Sequence, residues 1–574
     1  MEEEDCTIFI EELKSDDPNL KINAVTKIVS IAQILGPTRT CSELIPYLID
    51  IIEEQDNEDE FLIKLAQELV NLKPHTGSNT HLLNAPLEIL SSMEEPLVRE
   101  KAVESLLLLA DDMPDSFFEN HFFQIVQQLG QWDNFPSRIS AASLFPLTYN
   151  HVSFEKKAIL WELYKQLCGD DTPMVRRVCA GVLSDLAKMR CQPQQLLALW
   201  ETLLKDPADS VKIKAIEGSK QMLKLIDDNS ELESHLHAFF ALADPKEKTW
   251  RVRYTVPECL ESIIDIIVKI NKDKSILKVK AVPVFQLLLK DSEPEVRSIT
   301  VMSIYHLLKE LPVNLKESFL PFFQALSTDT SQHVRMSLAE QICKISKQYS
   351  VQVVIQTFIP LISTLIKDDV AEIKIKLAHN LDQLSQTIGA ENSKKHLIPL
   401  ISTFASEKQW RFRLEMMSII PNLLKVAGYD SFLELQDIYL DKGVLNHYQA
   451  IRDQAIDNLV PINEHFGYEK IRDFILKCIT KQFEQPNYIF RVSAMHSITK
   501  LRDVLSINDL LNLFKDIASK SIYDRVPNVK LNIFKLFTAI QDKLDIQIQN
   551  EFKHKTRFLQ DDDDKDVQFF ASTI

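Results

Sequence analysis

Glycine is scarce in this chain of 574 residues, which contains only 10. This scarcity disfavours glycine-rich phosphate loops, and with a hydrophobic fraction of 45% it favours packed helices over sheets or disorder. Positive charge is also in deficit, because the formal net charge is -17 at pH 7. Nucleic acids and anionic membranes require a basic footprint, so neither is expected as the main partner.

Long apolar runs and paired cysteines are missing as well. No run approaches the roughly 18 apolar residues that a membrane span needs. The acidic first ten residues lack the basic and apolar regions of a secretory signal. The eight cysteines are scattered and never form CxxC, a usage typical of reduced, packed thiols. We expect a cytoplasmic protein, with the nucleus as a second location.

Motifs that carry catalytic chemistry are also missing. The sequence has no GxxxxGK[ST], GxGxxG, HExxH, GxSxG or EF-hand loop. His235 and His237 are two residues apart, a spacing that points two rings away from each other on a helix and disfavours a metal site. The sequence therefore predicts a protein that is not an enzyme and binds no cofactor or metal.

What the chain does have is a motif that returns about every 39 residues, from one end to the other. An anchor residue, almost always apolar, is followed by a basic residue and opens an amphipathic helix. A fixed period of this size predicts a stack of two-helix units, each needing its neighbours to bury its apolar face. The anchors are Leu20, Leu62, Val98, Ser137, Val175, Val211, Val252, Val296, Val334, Ile373, Phe412, Ile451, Phe490, Val529 and Val567.

One repeat, residues 313–350, shows the predicted unit. Apolar residues between Leu315 and Leu326 recur at helical spacing, a polar turn follows, and a second apolar stripe begins at Val334. A proline 13 residues before the anchor recurs in four consecutive repeats and predicts a kink in the first helix: Pro283, Pro321, Pro360 and Pro399. Kinked units of this length resemble HEAT repeats. We therefore predict an all-α superhelix of about fifteen HEAT repeats.

A basic residue follows the anchor in thirteen of the fifteen repeats, and aspartate stands five residues before the anchor in seven. These aspartates are Asp170, Asp206, Asp291, Asp329, Asp368, Asp524 and Asp562. The favoured interpretation is a ladder of hydrogen bonds and ion pairs that fixes the stacking of repeats. The alternative is a basic stripe that binds an acidic partner.

The DDDDK segment at 561–565 keeps the repeat register, so we assign it to the turn of the last repeat, whose final helix is short.

Some turns depart from this regular pattern. Residues 248–254 and 408–414 both place Trp-Arg directly before the anchor, and tryptophan with arginine is the composition of interface hot spots. The alternative is a large ring that fills the gap to the next repeat. Three further turns, at 170–177, 485–491 and 525–530, also carry unusual residues.

At these turns the chain resembles the scaffold (A) subunit of the serine/threonine protein phosphatase 2A family. That family carries DDTPMVRR, SWRVRY, KWRVR, DPNY and an ANVR-like segment in the same order. Here the corresponding segments are DDTPMVRR at 170–177, TWRVRY at 249–254, QWRFR at 409–413, QPNY at 485–488 and PNVK at 527–530. Residues 39–46 and 98–106 also match.

The resemblance implies a non-catalytic, curved horseshoe that holds a phosphatase catalytic subunit together with an exchangeable regulatory subunit on its inter-helical turns. It implies three parts: repeats 1–8 for regulatory subunits (1–312), connecting repeats 9–10 (313–390), and repeats 11–15 for the catalytic subunit (391–574). The implied regulatory-subunit contacts are Glu94, Trp132, Pro173, Met174, Arg176, Arg177, Trp250, Arg251 and Arg253. The implied catalytic-subunit contacts are Trp410, Arg411, Arg413, Tyr448, Arg452, Tyr488, Arg491, Val526 and Asn528.

The sequence departs from the family in the second half. The twelfth turn, residues 441–448, differs from the family pattern, and Pro527 replaces a small residue.

The alternative function is another HEAT adaptor, such as a nuclear transport receptor that binds cargo on its concave face.

Overall fold

The computed structural model describes residues 11–13, 15, 17–54, 58–404 and 407–573, and these contain helices and turns without a β-strand. The chain divides into two compact units, Met1–Asp291 and Ser292–Ile574. Each unit is a stack of helix pairs, so the predicted all-α repeat architecture is confirmed. Fourteen of the fifteen repeats show both helices among the described residues, and the first shows mainly its second helix.

The second helix of each repeat begins at or just before the anchor residue. In the first unit these helices are Pro18–Thr26 with Ile28–Arg39, Asp59–Leu69, Pro96–Ala110, Phe135–His151, Pro173–Lys188, Asp209–Glu217 with Ser219–Leu223, and Trp250–Ile270. In the second unit they are Pro294–Glu310, Gln332–Ser346, Ala371–Ala378 with Leu381–Asn392, Trp410–Ala427, Gln449–Phe466, Tyr488–Leu501, Pro527–Ile540 and Lys565–Thr573. Several start with proline, whose missing N–H costs nothing at a first helical position.

The first helices are more irregular. In the first unit they are Thr40–Leu44 with Ile45–Glu53, Thr80–Leu83 with Asn84–Leu90, Asp115–Phe117 with Phe118–Phe122 and Phe123–Gln131, Phe154–Cys168, Pro193–Leu204, Asn229–Ala241, and Leu277–Ala281 with Val282–Leu288. In the second unit they are Val313–Glu317 with Leu320–Leu326, Val351–Val353 with Val354–Phe358 and Ile359–Ile366, Ser393–Leu397 with Ile398–Phe404, Tyr429–Ile438 with Tyr439–Val444, Tyr468–Phe483, Ile507–Ser521 and Ile546–Thr556. Short 3₁₀ segments are Val70–His75, Gln541–Lys543 and Arg557–Asp561.

The prolines predicted to kink the first helices lie where these helices are irregular. Pro283, Pro360 and Pro399 are each the second residue of an α-helix that directly follows one turn of π-helix. The wider turn accommodates a residue that cannot donate a backbone hydrogen bond. Pro321 instead follows a break between two short helices.

The core runs along the interior of each stack. In the repeat at 313–350, Phe319, Phe323 and Leu326 of the first helix are buried, as are Val334 and Leu338 of the second. Phe322 and Leu315 are only partly buried, so the first stripe is narrower than its spacing predicts. Neither stripe could be buried by one helix pair alone, and this is why the repeats stack.

Two glycines set the sharp corners between successive repeats in the second unit. Gly428 and Gly467 have φ values of 85° and 86°, and each separates the second helix of one repeat from the first helix of the next. This region of backbone conformation is accessible to glycine at little cost.

The cysteines agree with the sequence-based expectation. The seven cysteines in the described ranges are free, as expected, and Cys6 lies outside those ranges.

The boundary between the two compact units falls after Asp291, between the two helices of the eighth repeat, rather than at 312. The three-part division by binding partner remains a prediction.

Candidate functional site

The turn between the two helices of a repeat is built around the basic residue that follows the anchor. Arg176 donates through Nη1 to the carbonyl oxygens of Asp170 and Asp171, at 2.6 and 3.1 Å, and so closes its own turn. Its Nε and Nη2 donate to the carboxylate of Asp206 in the next repeat, at 2.7 and 2.9 Å. One guanidinium therefore joins two successive turns.

The contact between successive turns recurs along both units. In seven repeats the aspartate five residues before the anchor accepts from the basic residue one repeat earlier, in the pairs Arg138–Asp170, Arg176–Asp206, Arg253–Asp291, Arg297–Asp329, Arg335–Asp368, Arg491–Asp524 and Lys530–Asp562. Glutamate takes this place in Lys212–Glu247 and Lys374–Glu407. The predicted ladder is confirmed, and we call each of these pairs a rung.

Each rung aspartate also organises the turn that it belongs to. Asp170 accepts a hydrogen bond from the backbone N–H of Thr172 at 2.8 Å, and Asp368 accepts one from Val370 at 2.9 Å. Burial alone would raise the pKa of both carboxyls, but the hydrogen bonds from arginine and from these amides outweigh it and lower the pKa. Both carboxylates are therefore held in their charged form.

Three arginines occupy rung positions without a carboxylate partner among the described residues. The position five residues before the next anchor carries no acid in these three cases. It is occupied by Trp132, Asn446 and Gln485. We call these positions open rungs, and their arginines are Arg99, Arg413 and Arg452. The missing aspartate marks these positions in the sequence. The predicted motif covers only the seven repeats in which the aspartate is present.

The open-rung arginines still close their own turns. Nη1 of Arg99 donates to the carbonyl oxygens of Met93 and Glu94, and Nη1 of Arg413 to those of Glu407 and Lys408. The Nε atoms of Arg99 and Arg413 are enclosed without an acceptor. Burial lowers the pKa of Arg99.

Arg452 differs from these two in having a partial substitute for the missing acid. Its Nη1 donates to the carbonyl oxygens of Asn446 and His447, and its Nε donates to the Ser493 hydroxyl at 3.1 Å. Burial lowers the pKa of Arg452.

Two predicted contacts of the first unit, Glu94 and Trp132, lie on exposed turns. Trp132 is 40% exposed and follows the first helix of the fourth repeat, where its backbone carbonyl accepts from Arg138. A large apolar ring left this accessible is typical of an interface.

The turn at 170–177 presents a second exposed group. Pro173 and Met174 start their helix at the surface, and Met174 is 50% exposed. Met174 and Arg177 also line a groove of about 430 Å³ together with Arg99 and Gly181. A groove with a methionine and basic residues offers both apolar and charged contacts to a partner.

Trp250 and Arg251 form a compact pair at the start of their helix. The Arg251 guanidinium lies 5.1 Å from the centre of the Trp250 ring, and the ring meets Tyr254 edge-on at 6.2 Å. Arg251 is exposed and Trp250 is partly exposed, whereas Arg253 is buried in its rung. Arg176, Arg253 and Arg491 thus have structural partners, and their partner-binding role remains a prediction.

In the second unit, four predicted residues assemble into one stack across two repeats. The rings of Trp410 and Tyr448 are stacked, with centres 5.4 Å apart and planes 15° apart. Arg411 lies 5.7 Å from the Trp410 ring centre, and Arg413 lies 5.7 Å from the Tyr448 ring centre. We call these four residues the Trp410 stack. Trp410 both reaches the next repeat and stays partly exposed, so the two interpretations of this tryptophan are not exclusive.

The remaining predicted contacts lie on the next two turns. Tyr488 is 38% exposed and opens its helix after Asn487, whose side chain caps the N–H of Ile489. Val526 is partly exposed and Asn528 is exposed, beside Pro527 at the first position of its helix. Proline is readily accommodated there, so this departure from the family leaves the helix start intact.

One exposed aromatic pair was not predicted from the sequence. Tyr523 and Phe558 stack with ring centres 5.4 Å apart and planes 11° apart, although they are 70% and 48% exposed. They follow the first helices of the fourteenth and fifteenth repeats. The signal was a bulky aromatic residue at each helix end, outside the turn motifs that carry the family resemblance.

Two observations bear on other classes of function. Within the described ranges, no group of three or more His, Cys, Asp or Glu side chains is arranged to hold a metal ion. Among the helices described, none combines the length and apolar character required to cross a bilayer.

Comparison with known proteins identifies curated relatives. The chain is 46% identical over 183 residues to the protein phosphatase 2A scaffold subunit of Dictyostelium discoideum, covering 32% of this chain and 31% of that protein. It is 32% identical over 346 residues to the beta isoform of the human serine/threonine-protein phosphatase 2A 65 kDa regulatory subunit, covering 59% and 56%. The resemblance inferred from the turn motifs is therefore confirmed. The chain spans about a third to just over half of the length of the curated relatives it matches.

A family model and solved structures add information about the fold. The model described as the PIK3R4-like middle domain matches residues 346–545. Kap121p bound to RanGTP superposes with a TM-score of 0.60 at 13% identity, covering 97% of this chain and 58% of that one. Kap95p with RanGDP gives 0.54 at 12% identity, covering 100% and 87%. At such identities the likeness shows the helical-repeat fold alone.

Proposed function

We propose that this chain is a non-catalytic scaffold subunit of a type 2A serine/threonine protein phosphatase. In this role the second unit holds the catalytic subunit and the first unit holds an exchangeable regulatory subunit. The observation that carries the proposal is the Trp410 stack, on a chain similar to named phosphatase 2A scaffold subunits. Tryptophan, tyrosine and arginine are the residues that dominate the energetics of interfaces.

The stacked rings themselves explain how such a surface can be held ready for a partner. The rung between their two turns is open, but Trp410 and Tyr448 are already stacked across two repeats, with ring centres 5.4 Å apart. A preorganised surface loses less conformational freedom on binding than a flexible one. Holding two subunits on one chain also raises their effective concentration for each other.

The proposal is tested by measuring binding of purified phosphatase 2A catalytic subunit to the immobilised full chain. We expect the wild-type chain to bind, and Trp410→Ala/Arg411→Ala to weaken binding at least about thirtyfold, because truncating a hot-spot residue costs about 2 kcal/mol or more. The matched control is Trp250→Ala/Arg251→Ala, which removes the equivalent pair from the first unit and should leave catalytic-subunit binding unchanged. Full recovery of the phosphatase by the Trp410/Arg411 variant would contradict the proposal.

The nuclear-transport alternative is supported only by likeness of fold to karyopherins. Co-purification of the chain with a small GTPase and no phosphatase would favour it over the scaffold.

A further inference from the structure

The first helices of the fourteenth and fifteenth repeats, Ile507–Ser521 and Ile546–Thr556, leave a groove between them. The groove has a volume of about 210 Å³ and is lined by Phe514, Lys515, Ala518, Ser519, Ile522, Ile548, Glu551, Phe552 and Lys555. We call it the Phe514 groove. None of the residues predicted to contact a phosphatase subunit lines it, so the proposed function leaves this groove without a role.

The floor of the Phe514 groove is apolar and its rim is polar. Phe514 and Phe552 meet at the floor with ring centres 5.3 Å apart, and both rings are buried, as are Ala518 and Ile548. The rim consists of exposed polar side chains, which are Lys515, Ser519, Glu551 and Lys555. A buried apolar centre surrounded by a polar rim is the usual anatomy of a protein interface.

The two helices are not tied together across the Phe514 groove. Earlier first helices of the second unit are joined to their neighbours by ion pairs, which are Lys394–Glu434, Lys477–Asp437 and Arg472–Asp509. Among the described residues, no hydrogen bond or ion pair joins Ile507–Ser521 to Ile546–Thr556. The small side chains of Ala518 and Ser519 leave the space above the floor unfilled. A side chain from outside can therefore enter the groove.

The volume of the Phe514 groove indicates what kind of ligand it takes. Pockets for small molecules usually measure about 300–1,000 Å³, so a groove of about 210 Å³ is too small for a typical one. It suits one bulky apolar side chain. Interface anchors are side chains of this kind, held in a pocket from which water is excluded.

The charges around the Phe514 groove favour an acidic partner, although the chain as a whole is acidic. The two helices that form the groove carry four lysines and three acids. One of the acids, Asp509, is buried and bound to Arg472 of the preceding repeat. The other two are each paired with a lysine of their own helix, as Asp516–Lys520 and Glu551–Lys555. The exposed surface beside the groove is therefore locally positive.

Lys515 is the rim lysine that remains available to a partner. It is exposed and has no ion pair within the described chain. It lies one helical turn before Ser519, so a carboxylate close to an anchored apolar side chain can reach its ammonium group. An exposed ion pair contributes only about 0–1 kcal/mol, so this contact supplies selectivity for acidic segments rather than most of the affinity.

We propose that the Phe514 groove binds an acidic segment of a partner protein, which places one bulky apolar side chain on the groove floor and a carboxylate against Lys515. This surface is separate from the inter-helical turns to which the proposed function assigns the phosphatase subunits. The inference therefore goes beyond that function and does not rest on it.

The probe is a phage-displayed library of random peptides selected on the immobilised full chain, after removal of every peptide that binds Ser519→Trp. Ser519 is exposed, so the tryptophan fills the groove from its rim without entering the core. We expect the selected peptides to combine one bulky apolar residue with neighbouring aspartate or glutamate. A selected peptide should bind Ser519→Trp at least about tenfold more weakly than the wild-type chain, because its anchor has lost the pocket.

Two matched controls separate the groove from the surface around it. Asn550→Trp adds the same ring at an exposed residue that does not line the groove, and it should change peptide binding less than about threefold. Lys515→Glu should weaken peptide binding at least about tenfold, because it places a like charge beside the peptide carboxylate. Lys520→Glu makes the same change of charge on the same helix outside the groove lining, and its effect should stay below about threefold.

The following outcomes would overturn the inference. One is a selection that leaves no peptide after the subtraction, or that yields basic or uncharged peptides. Another is equal weakening by Lys515→Glu and Lys520→Glu, which would indicate general attraction to the surface. The purified catalytic subunit should bind Ser519→Trp as it binds the wild-type chain. Weaker binding would place the groove inside the interface of the proposed function and so contradict a separate site.

Discussion

Removing the acid of a single rung, by Asp368→Ala, should loosen the two repeats that it joins. Nε and Nη2 of Arg335 donate to the Asp368 carboxylate at 2.6 and 3.2 Å. The same carboxylate accepts from the N–H of Val370 at 2.9 Å. One side chain therefore supports both the contact between repeats and the start of the next helix.

The expected cost follows from these bonds. Hydrogen bonds to a charged group contribute about 1.5–3 kcal/mol, and loss of a cap costs about 0.5–2 kcal/mol. The side chains of Arg335 and Asp368 are 18% and 8% exposed, so solvent weakens the pair only in part. We expect Asp368→Ala to reduce local stability by about 2–4 kcal/mol. Asp368→Asn keeps the cap and removes only the charged acceptor, so it should cost about half as much.

Hydrogen exchange is the suitable assay, because repeat stacks open locally and a single unfolding free energy does not describe them. Amides of Gln332–Ser346 and Ala371–Ala378, the helices on either side of the rung, should exchange about 30 to 1,000 times faster in Asp368→Ala. Asp369→Ala, at the exposed neighbour of Asp368, is the control and should leave exchange unchanged. If the two variants exchanged alike, the ladder would not be what holds these repeats together.

Two further predictions concern buried groups elsewhere in the stacks. Tyr164→Phe should lower local stability by about 1 kcal/mol, seen as about fivefold faster amide exchange in Pro173–Lys188, because the Tyr164 hydroxyl donates to the buried Cys179 carbonyl at 2.8 Å; unchanged exchange would contradict it. The Asp509 carboxylate accepts from Arg472 and Tyr468, and the Arg472 hydrogen bond is the main reason that its pKa lies well below the ordinary value of 3.8. Its stabilisation is therefore present above about pH 4 and lost as the pH falls, so wild-type melting temperatures should drop more steeply below pH 4 than those of Asp509→Asn; parallel profiles by scanning fluorimetry would refute this.

The regular part of the structure was predictable from sequence because it repeats. A basic residue after the anchor and an aspartate before it, seen many times in register, can be explained economically only by a structural ladder. The DDDDK turn shows this well, since its Asp562 forms a rung with Lys530 of the preceding repeat. The spacing does not say whether a basic residue pairs with the aspartate of its own turn or with that of the next turn. The direction of pairing therefore required coordinates.

The irregular part was not predictable in the same way. Trp410 and Tyr448 are separated by a whole repeat, and whether their rings meet depends on the rotation between helices. The sequence predicts the π-turns before Pro283, Pro360 and Pro399 only as kinks, since periodicity does not specify how a helix accommodates a proline.

The difference between complete rungs and open rungs also ranks the residues proposed to contact the catalytic subunit. Arg491 already donates to Asp524 through both Nε and Nη2, so binding a partner there would compete with a formed pair. Arg413 has no such competitor among the residues described, and Trp410 and Tyr448 are already ordered around it. We therefore expect substitutions in the Trp410 stack to act mainly on association, whereas substitution of Arg491 should act first on the stability of the repeats that it joins.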